Sequence, residues 1–187
     1  MSRLKALILG KPIHERRIEM RTYQLENDRL VVEGWLRDER FEAGYHLDGR
    51  PRPPGMVHWI VVRMLVGGWP LSILDVEAEM LEVPRELCQT TLEGLKQVIG
   101  LSIASGYSKK VAKRLGGAEG CAHLAHLVAA MGPAALHGYW TQRSSRKPTG
   151  PRSMDELPIN SCKLWKPDGP LVQEIRAAFD GTNLEPK

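Results

Sequence analysis

Two hydrophobic periods run along this chain, and one gives way to the other near residue 82. In the first half, Ile18, Met20 and Thr22 alternate with Arg17, Glu19 and Arg21, the two-residue period of a half-buried strand. Glu26-Asn27-Asp28 signals a turn, and Leu30 to Leu36, rich in Val and carrying Trp35, predicts the antiparallel partner. Glu42 to Gly55 holds Gly44, Gly49, Pro51, Pro53, Pro54 and Gly55 and predicts a loop. Val57 to Leu65 is dense in β-branched residues. Leu71 to Met80 then alternates, with Leu74, Val76, Ala78 and Met80 expected inward and Asp75, Glu77 and Glu79 outward. Gly67-Gly68-Trp69-Pro70 between them predicts the turn of a second hairpin.

The second half changes to a helical period. Pro84 suits a helix start, and Cys88, Leu92, Leu95 and Ile99 recur on one predicted helical face before Gly100. Ser108 is placed to cap a short basic helix ending at Gly116-Gly117. A third helix is predicted from about Cys121 to Trp140, with Leu124, Leu127, Val128, Met131 and Ala135 buried and a kink at Pro133. Residues 143–152 predict a loop, and Pro167-Asp168-Gly169-Pro170 opens a last helix on which Leu171, Val172, Ile175 and Phe179 form the apolar face. Strands followed by helices predict an α+β fold: an antiparallel sheet of about four strands in two hairpins, one face covered by a helical C-terminal half. The expected organisation is a single domain over 1–187, with 1–12 and 182–187 as poorly ordered tails.

Composition narrows the class. Hydrophobic residues at 42% and charged residues at 26% are globular usage rather than that of a disordered chain. No apolar run suggests a membrane span or a cleavable leader, so a cytoplasmic protein with no membrane partner is expected. Three widely spaced cysteines, Cys88, Cys121 and Cys162, do not form a disulfide framework and read as free thiols. Charge is uneven. Gly106 to Arg152 carries eight Lys or Arg against Glu119, while Met56 to Ser105 is acidic. The basic stretch offers a place for an anionic small molecule, or acts as a solvated face.

The chemistry-bearing stretch is Leu115-Gly116-Gly117-Ala118-Glu119-Gly120-Cys121-Ala122-His123-Leu124, a glycine-rich loop running into a helix. Unpaired N–H groups and the helix dipole favour negative charge there, so a thiolate at Cys121 suits nucleophilic attack or metal binding. Cys121 and His123 together suit zinc or iron. On regular helix, however, two residues apart point about 200° away from each other, so joint use requires Cys121 to lie in the loop. His126 reads as a surface or core histidine. His58, opening a strand ahead of Ile60 and Val62, is expected to face inward, and Cys88 to serve the core. Gly116, Gly117, Gly120, Lys109 and Arg114 are candidates for holding an anion. No phosphate-binding loop, dinucleotide fingerprint, Cys-x-x-Cys pair or hydrolase elbow occurs.

The run Ile13-His14-Glu15-Arg16-Arg17, the two hairpins and the block from Arg114 to Leu124 resemble the bacterial family called domain of unknown function 2889, over roughly Ile13 to Phe179. The resemblance implies a His-bearing strand, met by Val57-His58-Trp59, and a Pro-x-x-x-Cys step, met by Pro84 and Cys88. It also implies a Gly-Cys-x-His-Leu block and a late cysteine, met by Cys162. Ala122 stands where the family commonly has Thr. The family implies a fold and candidate residues, and no activity. The architecture is also similar to that of iron–sulfur cluster scaffold proteins, but the turn Val66–Pro70 carries no cysteine and no His-Cys neighbours occur, which counts against cluster assembly.

Three functions follow as expectations. The first is an accessory or binding protein with a metal or metal-cofactor site at Cys121 and His123, joined by at least one of His58, Cys88 and Cys162. The second is a thiol-dependent enzyme with Cys121 as nucleophile, acting on an anionic small molecule. The third, a nucleic-acid binder, has few aromatics interleaved with its charges and no binding motif, and is not favoured.

Overall fold

The computed structural model describes residues 2–145 and 159–180. Four long strands, β1 (His14–Gln24), β2 (Leu30–Arg40), β5 (Gly55–Gly67) and β6 (Ser72–Glu82), form one antiparallel sheet in the order β1-β2-β5-β6. Strands β3 (Gly44–Tyr45) and β4 (Pro51–Arg52) make a small separate hairpin inside the predicted 42–55 loop. A 3-10 segment (Glu86–Val98), α1 (Tyr107–Leu115) and α2 (Ala122–Ser144) follow, and α3 (Pro170–Asp180) comes after them. The α+β architecture expected from the two periods is therefore the one observed.

Helix α2 lies across β1, β2 and β5, the 3-10 segment packs on β6, and α1 sits between them. Leu30, Val32 and Leu36 of β2, with Ile60, Val62 and Met64 of β5, meet Leu124, Leu127, Val128, Met131 and Ala135 of α2 in the core. The five α2 residues are those read from the sequence. Gly34 allows the helix to come close: a methyl group there would lie 3.0 Å from Met131 Sδ and 3.2 Å from Leu127 Cδ1. The opposite face of the sheet is half-buried and charged. Arg21 and Arg37 lie over the Trp35 and Trp59 rings, and Arg63 bridges Glu33 and Glu79.

Several local expectations are corrected. The stretch after Pro84 is a 3-10 helix, not an α-helix. Leu92, Leu95 and Val98 recur every third residue, which suits three residues per turn. Thr90 and Thr91 donate hydroxyl bonds to the carbonyls of Leu87 and Cys88, three residues back. Ile99, expected on the buried face, is 37% exposed. Leu74, expected inward, is exposed because a register shift near Leu65 and Val66 turns Ile73 inward instead. Helix α2 continues past Trp140 to Ser144, into the predicted 143–152 loop, with Thr141 and Ser144 donating back to helix carbonyls. Pro133 lies inside this helix. Residues 146–152 and 182–187 lie outside the described residues, while 5–7 form one exposed 3-10 turn.

The link from α1 to α2 is closed by backbone alone. Cys121 N–H donates to Leu115 C=O at 2.9 Å, and a methyl on Gly120 would meet that same carbonyl oxygen at 2.1 Å. Backbone cannot move aside as a flexible side chain can. Gly120→Ala is therefore expected to destabilise by about 2–3 kcal/mol, against about 1 kcal/mol for Gly34→Ala, whose neighbours are side chains. Urea unfolding of both variants checks this, and equal costs would show that the link is not tight.

Candidate functional site

The alternation that fills the core also builds the site. On β2 the buried row Leu30, Val32, Gly34 and Leu36 continues to Asp38, which is 2% exposed. Asp38 pairs in register with Arg16 of β1 on one side and with His58 of β5 on the other. One step deeper, the same row is Ile18, Leu36 and Ile60. Three chemistry-bearing residues thus stand side by side on three neighbouring strands, at the end of the hydrophobic surface. Helix α2 supplies the fourth. Its N-cap is Cys121, in extended conformation, so His123 falls in the first turn and reaches down onto Asp38.

Arg16 grips the carboxylate with both arms of its guanidinium, Nε to Oδ1 at 2.6 Å and Nη2 to Oδ2 at 2.7 Å. His58 Nδ1 is 2.9 Å from Oδ2, and His123 Nε2 is 3.6 Å from that same oxygen. His14 Nε2 lies 3.6 Å from Oδ1. The His58 and His123 rings lie face over face, with centroids 3.9 Å apart and planes tilted by 31°. Asp38, His58 and His123 each offer a ligand atom, and these atoms all lie within 4.8 Å of one another.

Electrostatics sets the protonation. Burial pushes the Asp38 carboxyl up, but the hydrogen bonds and charge of Arg16, with help from His58, overcome it and hold the pKa below the ordinary value. His58 is lowered, by burial first; Asp38 acts to raise it, and Arg16 and Arg52 add repulsion that lowers it. His123 is lowered by burial first and then by the neighbouring His58. The resting site is an ionised carboxylate with two neutral imidazoles, the protonation state in which these groups bind metal ions.

The cluster forms the floor of a cavity of ≈ 460 Å³ whose walls include Ile13, His14, Arg40, Glu42, Ala43, Arg52 and Val57. Arg40 donates to the carbonyls of Glu42 and Pro53 and so fastens the segment carrying β3 and β4 beside the opening.

Of the residues singled out from sequence, the fold brings His58 and His123 together. Cys121 is half-buried against the core at the helix N-cap and lies outside the metal-capable cluster among the described residues, as do Cys88, half-buried on the core, and Cys162, exposed. The glycines Gly116, Gly117 and Gly120 shape the α1–α2 link, and Lys109 and Arg114 lie on α1; none of the five lines the cavity. Arg114 instead donates to the Gln97 carbonyl. Asp38, Arg16 and His14 were missed. A signal existed for Asp38: it continues the inward-facing row of β2 one step past Leu36 into a buried position, where a charge is costly unless partnered.

Among the described residues, no helix is long and apolar enough to cross a membrane. The family described as "Protein of unknown function (DUF2889)" matches residues 14–137, about two thirds of the chain and the whole of the site. No curated protein and no solved structure matches.

These shifts make stability depend on pH. Between their folded and unfolded pKa values, His58 and His123 bind fewer protons folded than unfolded, so stability rises with pH in that range. Metal-free protein is expected to keep full stability above about pH 6.5 and lose it as pH falls below that. A second loss is expected below about pH 4, as Asp38 protonates. Urea midpoints from pH 8 to pH 3 check this. In His58→Gln/His123→Gln the loss that begins below about pH 6.5 should shrink, and an unchanged slope would place the titrating groups elsewhere.

Proposed function

As this chain belongs to that family, whose description assigns no activity, we propose a function from the site itself: the protein binds one divalent transition-metal ion, of the zinc or iron(II) class, through Asp38, His58 and His123. The observation that carries this reading is that a nitrogen of each histidine is aimed at one oxygen, Asp38 Oδ2, at 2.9 and 3.6 Å. Ligand atoms about 2.0–2.1 Å from a tetrahedral zinc ion are about 3.3 Å from one another, and the two distances bracket that spacing. The ion would take the place of the hydrogen bond between His58 Nδ1 and Asp38 Oδ2. Two imidazoles and one carboxylate form a donor set used by zinc and by non-haem iron(II), with coordination positions left open. Arg16 would stay on the carboxylate as the outer partner that orients a ligand. His14 lies near enough to serve as a further donor.

The reading keeps the metal expected from the sequence and two of its candidate donors, His58 and His123, but replaces the cysteine sulfurs with the Asp38 carboxylate. A thiol enzyme would need a base within hydrogen-bond reach of Cys121; the paired imidazoles are engaged with Asp38 instead.

Titration of the chain with Co²⁺ or Zn²⁺, followed by visible absorption for cobalt and by calorimetry for both, tests the reading. One ion per chain is expected. His58→Gln and His123→Gln should each weaken binding by about 100-fold, at or beyond the upper end of the range for losing an outer-shell partner. Cys121→Ser should leave binding unchanged. Failure to bind either ion, or binding indifferent to both histidine substitutions, contradicts the proposal.

A further inference from the structure

Resting on the metal reading, we infer that the cavity above Asp38, His58 and His123 receives a small organic carboxylate, bound to the metal's open face and held at its other side by Arg52.

The first ground is charge. The cavity is lined by three guanidiniums, Arg16, Arg40 and Arg52, against two carboxylates, Asp38 and Glu42. It is net positive before an ion enters, and a divalent ion adds two further positive charges. An anion is the ligand that such a site favours.

The second ground is the division of labour among the three arginines. Arg16 is committed to Asp38. Arg40 is committed to the backbone carbonyls of Glu42 and Pro53. Arg52, half-buried at the end of the short β3–β4 hairpin, has no hydrogen-bond or ion-pair partner among the described residues. A half-buried guanidinium facing a cavity, with its five donors unused, fits a planar two-oxygen acceptor.

The third ground is shape and surface. A volume of ≈ 460 Å³ is in the range of small-molecule sites. Ile13, Ala43 and Val57 give the wall an apolar side, which suits a ligand with a short hydrocarbon body better than a bare inorganic anion. Lys109 and Arg114, the anion candidates of the basic helix, are not part of this wall.

The experiment uses Co²⁺-loaded full-length chain, with cobalt retention measured first by elemental analysis. Benzoate is titrated while the visible cobalt spectrum is followed, with benzamide and inorganic phosphate as the other two arms. Benzoate is expected to saturate a single site and change the spectrum, benzamide to do nothing, and phosphate to bind more weakly. In Arg52→Ala the benzoate dissociation constant should rise by about tenfold or more, the loss of a charged hydrogen-bonding partner. Cobalt affinity should change by less than about threefold, and Arg52→Lys should recover part of the loss. Equal binding of benzamide, tighter binding of phosphate, or benzoate binding indifferent to Arg52→Ala overturns the inference while cobalt binding stands. Failure to retain cobalt overturns the metal reading beneath it.

Discussion

A carboxylate sits where the fold otherwise places Leu, Val and Ile. Asp38 is the outermost member of the buried row on β2, and an ionised group at 2% exposure is costly unless it is paired and hydrogen-bonded. The neighbouring strands resolve that cost. Register puts Arg16 and His58 directly across from Asp38, and the first turn of α2 brings His123 above it. Because the carboxylate is held ionised, the imidazoles gather round it. Because they are also partly buried, they stay neutral. The charge of Arg16 keeps one end in solvent, its side chain being 38% exposed, so the pair is buried on the acid side only.

Rigidity follows from where these residues are carried. Arg16, Asp38 and His58 belong to three paired strands of one sheet rather than to loops. His123 is set by a link in which Cys121 bonds to the Leu115 carbonyl and Gly120 leaves no room for a methyl group. The segment with β3 and β4 is different. It is short, edged by proline and glycine, and joined beside the cavity through Arg40. The division between a rigid floor and a separately attached wall is the arrangement expected of a site that holds a fixed centre and admits a ligand beside it.

Most of the architecture was legible in the two periods. The α2 core stripe was read residue by residue, and both hairpins were placed. What was not legible depended on events that alternation does not record. The shift near Leu65 and Val66 reversed Leu74 and Ile73. A three-residue repeat, Leu92, Leu95 and Val98, resembles a helical stripe closely enough to hide a 3-10 segment. At the site, His58 and His123 are visible as single residues, but the local glycine-rich motif points to the thiol between Gly120 and Ala122. The better clue was phase: Asp38 follows Leu36 by two, Arg16 precedes Ile18 by two, and His58 precedes Ile60 by two. Of the three, Asp38 is charged at a fully buried position, where the pattern demands an apolar residue. Their meeting required strand register, which no local window contains.

The proposed centre is distinguished from a cysteine centre by the atoms around the ion. X-ray absorption at the zinc edge of the zinc-loaded, full-length chain measures those atoms directly. The proposal requires nitrogen and oxygen alone at about 2.0–2.1 Å, with the outer scattering of imidazole rings. A sulfur shell at about 2.3 Å would contradict it and return the metal to Cys121 or one of the other thiols.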